Sequence, residues 1–215
     1  MCSSDLQQAL EYNLLCPFHY FGITDITLNG ECLNDDIIDR AGKGDFTIFN
    51  MLTSDERVDY VLKQAKYYGY SGNRVKGLIF CSSIKEAMTL SQKFNQRGLR
   101  TIALAGGVND DVREDAIDRL VSDERGDYLD YILTVNIFNE GVDIPEVNQV
   151  IMLRPTESAI VFIQQLGRGL RKSIEKEFVV ILDFIGNYNN NFLIPIALSG
   201  DRTYNKDNMR KYMME

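Results

Sequence analysis

From about residue 76 onward, short apolar runs alternate with amphipathic stretches. Gly77-Leu78-Ile79-Phe80-Cys81 is continuous and apolar, the pattern of a strand buried on both faces of a parallel sheet. Ser82 and Ser83 follow as an N-cap pair, with Glu86 three residues after Ser83 completing a capping box. The helix runs through Ala87, Leu90 and Phe94 and stops at Gly98. Thr101-Ile102-Ala103-Leu104 reads as the next strand, broken by Gly106-Gly107. Asn109 then caps a helix with Val112, Ala116, Ile117, Leu120 and Val121 on one side. Strands are predicted at 131–135, 147–153 and 178–182, with a helix at 158–171 between the last two.

Strands and helices alternating at this spacing imply βαβ units: an α/β fold whose parallel sheet is covered by helices on both faces. Ligands of such sheets sit beyond the carboxyl ends of the strands. The loops opening at Ser82, Gly106, Asn136 and Arg154 should therefore share one edge. The first seventy residues are less regular. Residues 14–22 are aromatic-rich and suit an extended segment or a connection from something upstream. Thr53-Ser54-Asp55-Glu56 opens a helix with Val58, Val61, Leu62 and Ala65 as its buried stripe. After Gly186 comes an asparagine-rich polar stretch, and 205–214 reads as a short helix. Internal repeats and low-complexity linkers are absent.

At 215 residues and 45% hydrophobic content, the chain can bury one good core. The sequence has neither a run of about 18 apolar residues nor a signal peptide, so a soluble, cytoplasmic protein with no membrane partner is expected. The four cysteines are far apart, without a C-x-x-C pair, and suggest neither a zinc nor a redox motif. His19, the sole histidine, lies between Phe18 and Tyr20 and reads as a packing residue. A formal net charge of −8 argues against a free-standing nucleic-acid binder. Charge is uneven, however: Arg168, Arg171 and Lys172 cluster, while Asp110, Asp111, Glu114, Asp115 and Asp118 crowd another helix. A local basic groove on an acidic body stays open.

The richest chemistry lies in Gln164-Gln165-Leu166-Gly167-Arg168-Gly169-Leu170-Arg171, shortly after the turn Gly141-Val142-Asp143-Ile144-Pro145. On a helical wheel Gln164, Arg168 and Arg171 fall within about 60° of one another. Ala159, Ile163, Leu166 and Leu170 form a separate face that can bury against the sheet. Two rigid guanidinium forks on one anchored helix can clamp a phosphate. Gly167 and Gly169 each cost about 1 kcal/mol in a helix interior, a cost that close approach of a ligand or backbone would justify. Yet the phosphate-cradling pattern GxxxxGK[ST] is missing. Asp55-Glu56-Arg57-Val58 imitates a DExx box but opens a helix instead of ending an apolar strand.

Phe138-Asn139-Glu140-Gly141-Val142-Asp143-Ile144-Pro145, followed by Gln164-x-x-Gly167-Arg168-x-x-Arg171, resembles motifs V and VI of superfamily 2 helicases. The run from Gly77 to Ser82 is similar to motif IV of the same C-terminal RecA-like domain, and the likeness covers roughly residues 75–185. The wording of motif V and the flanks at 17–22 and 183–188 resemble the type III restriction-enzyme branch (ResIII-like). In that family two RecA-like domains close around ATP. The first carries the phosphate loop and the acids that hold Mg2+ and activate water.

The resemblance implies that this chain is the second domain: 1–30 a connection from an upstream RecA-like ATPase domain, 31–185 the helicase C-terminal domain, 186–215 an extension toward a further module. Arg168 and Arg171 would be the catalytic arginine fingers. Gln164, Gly141, Asp143 and Gly167 would bind ATP. Asp143 equally suits a turn-capping role before Ile-Pro. Ser82, Ser83, Gly106, Gly107, Arg113 and Thr134 would contact the backbone of single- or double-stranded DNA. The serines could instead only cap their helix, and Arg113 only pair with nearby acids. Asn136 stands where many relatives have aspartate. Alone, the chain should not hydrolyse ATP. Alternatives are a non-catalytic RecA-like scaffold or binding module, an RNA helicase domain, or a different α/β enzyme such as a methyltransferase or small NTPase.

Overall fold

The computed structural model describes residues 16–25, 27–28, 31–32, 40, 45–135, 144–154, 173 and 176–184. Its strands are β1 (Phe18–Gly22), β2 (Thr27–Leu28), β3 (Glu31–Cys32), β4 (Gly77–Phe80), β5 (Thr101–Leu104), β6 (Tyr131–Thr134), β7 (Gln149–Met152) and β8 (Val179–Asp183). Its helices are α1 (Phe46–Leu52), α2 (Asp55–Tyr68), α3 (Ile84–Gln96) and α4 (Asp110–Val121). Six strands form one sheet in the order β1-β8-β7-β4-β6-β5, every pairing parallel. β2 and β3 make a small antiparallel pair of their own.

Alternation along each strand divides the core into two layers. Leu78 and Phe80 of β4 face the layer holding Ala116 and Leu120 of α4, with Ile132, Val150 and Ile181 from neighbouring strands. Ile79 and Cys81 face the opposite layer, where Val58, Val61 and Ala65 of α2 meet Ala87, Leu90 and Phe94 of α3. Burial on both faces is why β4, β6, β7 and β8 are buried at every position. The expected parallel α/β sheet with helices on both faces is present. The predicted helix at 158–171, and the reading of 205–214 as a helix, lie outside the described residues.

Several sequence expectations are met closely and others corrected. Ser54 caps α2 by accepting from Arg57 N, and Asn109 caps α4 by accepting from Asp111 N. Cys81 is fully buried, as a small core residue should be. His19 packs edge-on to Phe178 with ring centroids 4.9 Å apart. The segment at 18–22 is an edge strand in register with β8, Phe18 opposite Val179 through Gly22 opposite Asp183. It is therefore part of the domain's sheet and not merely a connection leading to it. Val112 is exposed, so the buried stripe of α4 begins only at Ala116. A 12-residue helix is about 18 Å long against about 13 Å for a four-residue strand, so one turn overhangs. Helix α1 buries only Ile48 and Leu52, too few positions to give a period.

The amino edge of the sheet is tied by side-chain amides. Asn148 accepts from Lys76 N at 2.8 Å and donates to Ser71 O at 2.7 Å. Gln149 donates to Ala65 O and Gly69 O, satisfying carbonyls at the end of α2. Tyr131 donates to Gln149 Oε1, which leaves the ring lying over Gly77. A Cβ at Gly77 would stand 2.2 Å from Tyr131 Cδ1. Gly77→Ala is therefore expected to lower stability by about 1–3 kcal/mol through overpacking. Chemical denaturation of the variant checks this; unchanged stability would mean that the ring moves aside freely.

Candidate functional site

Parallel register brings six strand ends into one line. Phe80 pairs with Thr134 on one side and Met152 on the other; Thr134 pairs with Leu104, and Met152 with Asp183. The chain leaves β4 into α3, which leads toward β5. It leaves β7 on the way to β8, at the other side of the sheet. The direction of winding reverses between β4 and β7. This is the switch point where open α/β sheets take ligands. Cys81-Ser82 and Leu153-Arg154 flank it.

Ser83 is the N-cap of α3 and accepts from Glu86 N at 3.2 Å. Glu86 returns the bond one residue earlier than a standard capping box, accepting from Ser82 N through Oε2 at 2.9 Å. The Ser82 Oγ is buried and makes no well-formed hydrogen bond, although it lies near enough to the Glu86 carboxylate to help hold that pKa down. Gly106 and Gly107 are exposed in the turn after β5, and Gly107 has φ of +84°, a conformation that favours glycine. With β6 between β4 and β5, the two loops stand roughly 10 Å apart by strand spacing. Arg113 lies in the first turn of α4 and pairs with Asp110. The edge thus gathers Ser82, Ser83, Gly106 and Gly107, with Arg113 on the adjoining helix.

Thr134 behaves differently. It ends β6 fully buried, its carbonyl accepting from Cys81 N at 2.8 Å. At 0% exposure it presents no surface to a nucleic-acid backbone. Gln164, Gly141, Asp143, Gly167, Arg168 and Arg171 lie outside the described residues. The segments carrying them leave the described structure at Val135 and Arg154, immediately beyond the ends of β6 and β7.

Sequence reasoning passed over the most heavily charged part of this region. Arg57 on α2 is 1% exposed. Its Nε and Nη2 grip Asp25 at 2.9 and 2.7 Å, and its Nη1 reaches Leu52 O at 2.8 Å and Glu86 Oε1 at 3.4 Å. Burial opposes the Arg57 charge, but Asp25 and then Glu86 outweigh it and hold the guanidinium above its ordinary pKa. Burial raises the Glu86 carboxyl above the usual carboxylate range, with Arg57 and Ser82 N opposing it. An arginine inside a Val58/Val61/Ala65 stripe was the available signal, since arginine is buried only when paired.

A second polar recess lies at the opposite, amino edge, lined among others by Arg74, Lys76, Asp123, Asn148 and Lys176. Its groups serve the fold. Arg74 donates to Leu120 O, Ser122 O and Leu129 O, Lys176 to Val147 O, and both Arg74 and Lys76 pair with Asp123. The switch-point edge is the better candidate. No helix among the described residues is long and apolar enough to cross a membrane. Among the described residues, no group of three or more His, Cys, Asp or Glu side chains is placed to hold a metal ion.

The sheet order, its helices and this edge define a RecA-like domain of the helicase C-terminal type. The chain belongs to the helicase conserved C-terminal domain family, whose model matches residues 56–173. It is 25% identical over 181 residues to the 51.5 kDa protein of a Lactococcus phage (isolate 7-9), covering 81% of this chain and 36% of that protein. It is 26% identical over 137 residues to a Saccharomyces cerevisiae protein named as ATP-dependent helicase IRC3, covering 64% and 19%.

Among solved structures, an HsdR-subunit fragment of a type I restriction enzyme from Vibrio vulnificus YJ016 superposes with a TM-score of 0.65. Identity is 18%, over 87% of this chain and 35% of that one. The ATP-dependent type ISP restriction-modification enzyme LlaBIII, bound to DNA, gives a TM-score of 0.58 at 18% identity, over 89% and 14%. The structural likenesses are of fold. The chain spans little more than a third, or less, of the curated relatives named here.

Two outcomes follow from the site geometry. Glu86 has a raised pKa in the folded state, so its contribution to stability is present below the ordinary carboxylate range and is lost as pH rises through the raised value. Glu86→Gln should flatten that part of the stability profile, measured by denaturation from pH 4 to 8. An unchanged profile would show that Glu86 titrates normally. The Arg113–Asp110 pair is exposed at its aspartate, so Arg113→Ala should change stability by less than about 1 kcal/mol. If Arg113 also meets a phosphate, the variant loses about one unit of salt dependence in DNA binding.

Proposed function

We propose that this chain is the second motor domain of an ATP-dependent DNA helicase or translocase, acting in the cytoplasm beside an upstream RecA-like ATPase domain. In this reading 1–30 leads in from that domain and contributes β1, 31–185 is the motor domain, and 186–215 leads to a further module. The carrying observation is the single edge at which the loops of β4 and β5 and the segments leaving β6 and β7 meet. Open α/β sheets take their ligands at such an edge.

In this reading Arg168 and Arg171 carry permanent charge to the terminal phosphate of ATP, and Gln164, Gly141, Asp143 and Gly167 bind the nucleotide. Bound there, ATP supplies a phosphoryl group whose transfer gathers negative charge. The protein's part is positive charge aimed at that place, worth roughly 10³–10⁵ in rate for arginine fingers. Magnesium belongs to acids of the upstream domain. Ser82, Ser83, Gly106, Gly107 and Arg113 form a sequence-independent track of small side chains, backbone N–H groups and one cation for phosphates. Thr134 supports that track from beneath.

DNA is preferred over RNA because the restriction-enzyme branch supplies both the motif wording and the structure bound to DNA. A scaffold that kept the fold without turnover is the reading to beat. The Gln164/Arg168/Arg171 trio favours a working motor.

In the full-length protein, Arg171→Ala is expected to abolish ATP turnover while nucleotide binding largely survives. Steady-state ATPase assays and a fluorescent-nucleotide titration read the two quantities. Turnover close to wild type would remove the arginine-finger role. This polypeptide alone should hydrolyse no ATP, and Arg171-dependent hydrolysis by it would overturn the division of labour. Stimulation of the full-length ATPase by RNA but not DNA would move the assignment to an RNA motor.

A further inference from the structure

We propose that Arg57 is a positioning residue for the nucleic-acid loop: with Asp25 and Glu86 it forms a buried relay that ties the chain at residue 25 to the backbone of Ser82. The proposal rests on the reading of Ser82 and Ser83 as part of the nucleic-acid track.

The relay joins three separate pieces of the chain: residue 25, Arg57 on α2, and the 82–86 turn into α3. Asp25 lies two residues past Ile23, whose N–H extends the β1 ladder by donating to Asp183 O at 2.7 Å. Its Oδ2 accepts from both Nε and Nη2 of Arg57, at 2.9 and 2.7 Å, and its Oδ1 accepts from Nε at 3.2 Å, so both oxygens engage the guanidinium and fix its orientation as well as its distance. Arg57 Nη1 then reaches Glu86 Oε1, and the other oxygen of Glu86 holds Ser82 N at 2.9 Å. Tyr60, one turn along α2, holds the same upstream piece by donating to Thr24 O at 3.0 Å. A shift of residues 23–25 is thereby passed through rigid α2 to the first turn of α3.

Three features separate this from an ordinary stabilising ion cluster. Two carboxylates share one guanidinium in a closed core, where apolar side chains of similar volume would often hold the fold equally well. Glu86 spends its second oxygen on Ser82 N, outside the helix, whereas the usual capping bond would return to Ser83. The loop so held keeps the Ser82 hydroxyl buried, near the Glu86 carboxylate but without a well-formed hydrogen bond. A small turn of the loop would present that hydroxyl to an acceptor such as a phosphate oxygen. The relay sets how readily that turn occurs.

The test uses the full-length protein and a fluorescent single-stranded oligonucleotide. Asp25→Asn, Arg57→Lys, Glu86→Gln and Glu86→Ala are compared for thermal stability, DNA-independent ATPase, and the DNA concentration giving half-maximal stimulation. Asp25→Asn, Arg57→Lys and Glu86→Ala should raise that concentration about tenfold, the size of one lost charge-assisted hydrogen bond. The maximal rate should stay within about twofold. Glu86→Gln keeps one acceptor oxygen, which can serve Ser82 N or Arg57 Nη1 but not both, so it should also raise the half-saturating concentration, though less than Glu86→Ala; a wild-type value would show that the Arg57 link is idle. Folded Asp25→Asn protein with wild-type half-saturation would reduce the triad to a structural cluster and sink the relay. If Arg57→Lys fails to fold, Asp25→Asn decides alone, because it keeps size and acceptor oxygen. Absence of nucleic-acid binding by the wild-type protein would defeat the parent reading and the relay with it.

Discussion

Because all six strands of the sheet run the same way, each connection within it must return over a face or around an end before the next strand begins. That constraint sends every carboxyl end to one edge: Gly22, Asp183, Met152, Phe80, Thr134 and Leu104 share a register line. Chemistry scattered over a hundred residues is gathered without a long-range contact having to specify it. The reversal of winding between β4 and β7 then opens the only part of the line where neighbouring connections diverge, among the described residues.

The two edges of the sheet handle their polar groups in opposite ways. At the amino edge, Asn148, Gln149, Arg74 and Lys176 close off exposed carbonyls and strand ends, as burial demands. At the carboxyl edge, loops carry glycines in open turns and a serine whose buried hydroxyl makes no well-formed hydrogen bond. Saturated groups make a rigid base; unsaturated ones leave something for a ligand to complete. The net acidity of the chain says little about this contrast, since charge enters each edge residue by residue.

Periodicity was a good guide wherever an element was long or buried on both faces. β4 through β8, α2, α3 and α4 follow from runs such as Gly77-Leu78-Ile79-Phe80 and from caps at Ser54, Ser83 and Asn109. It failed where an element has few core positions, as in α1 with Ile48 and Leu52 alone. It could not assign Phe18–Gly22, because an edge strand half open to solvent lacks a continuous apolar run. Thr134 is fully buried, and a hydroxyl at a strand end looks available until the fold closes over it. Of the candidate site, the serine and glycine loops were legible from turn chemistry. The Arg57 triad was not, because Asp25, Arg57 and Glu86 are joined only in three dimensions and each passes for a surface charge in one.

Each layer of the core also encloses a described thiol, Cys16 on one side of the sheet and Cys81 on the other. Burial, and then Glu86, push the Cys81 thiol well above its ordinary pKa, so it is shielded both sterically and by its poor nucleophilicity. Cys16 is held by a bond to Glu177 O. An alkylating reagent would therefore modify either sulfur only during an excursion that parts that layer from the sheet. The domain carries a pair of internal chronometers, one per layer, for timing how often each half of its interior breathes.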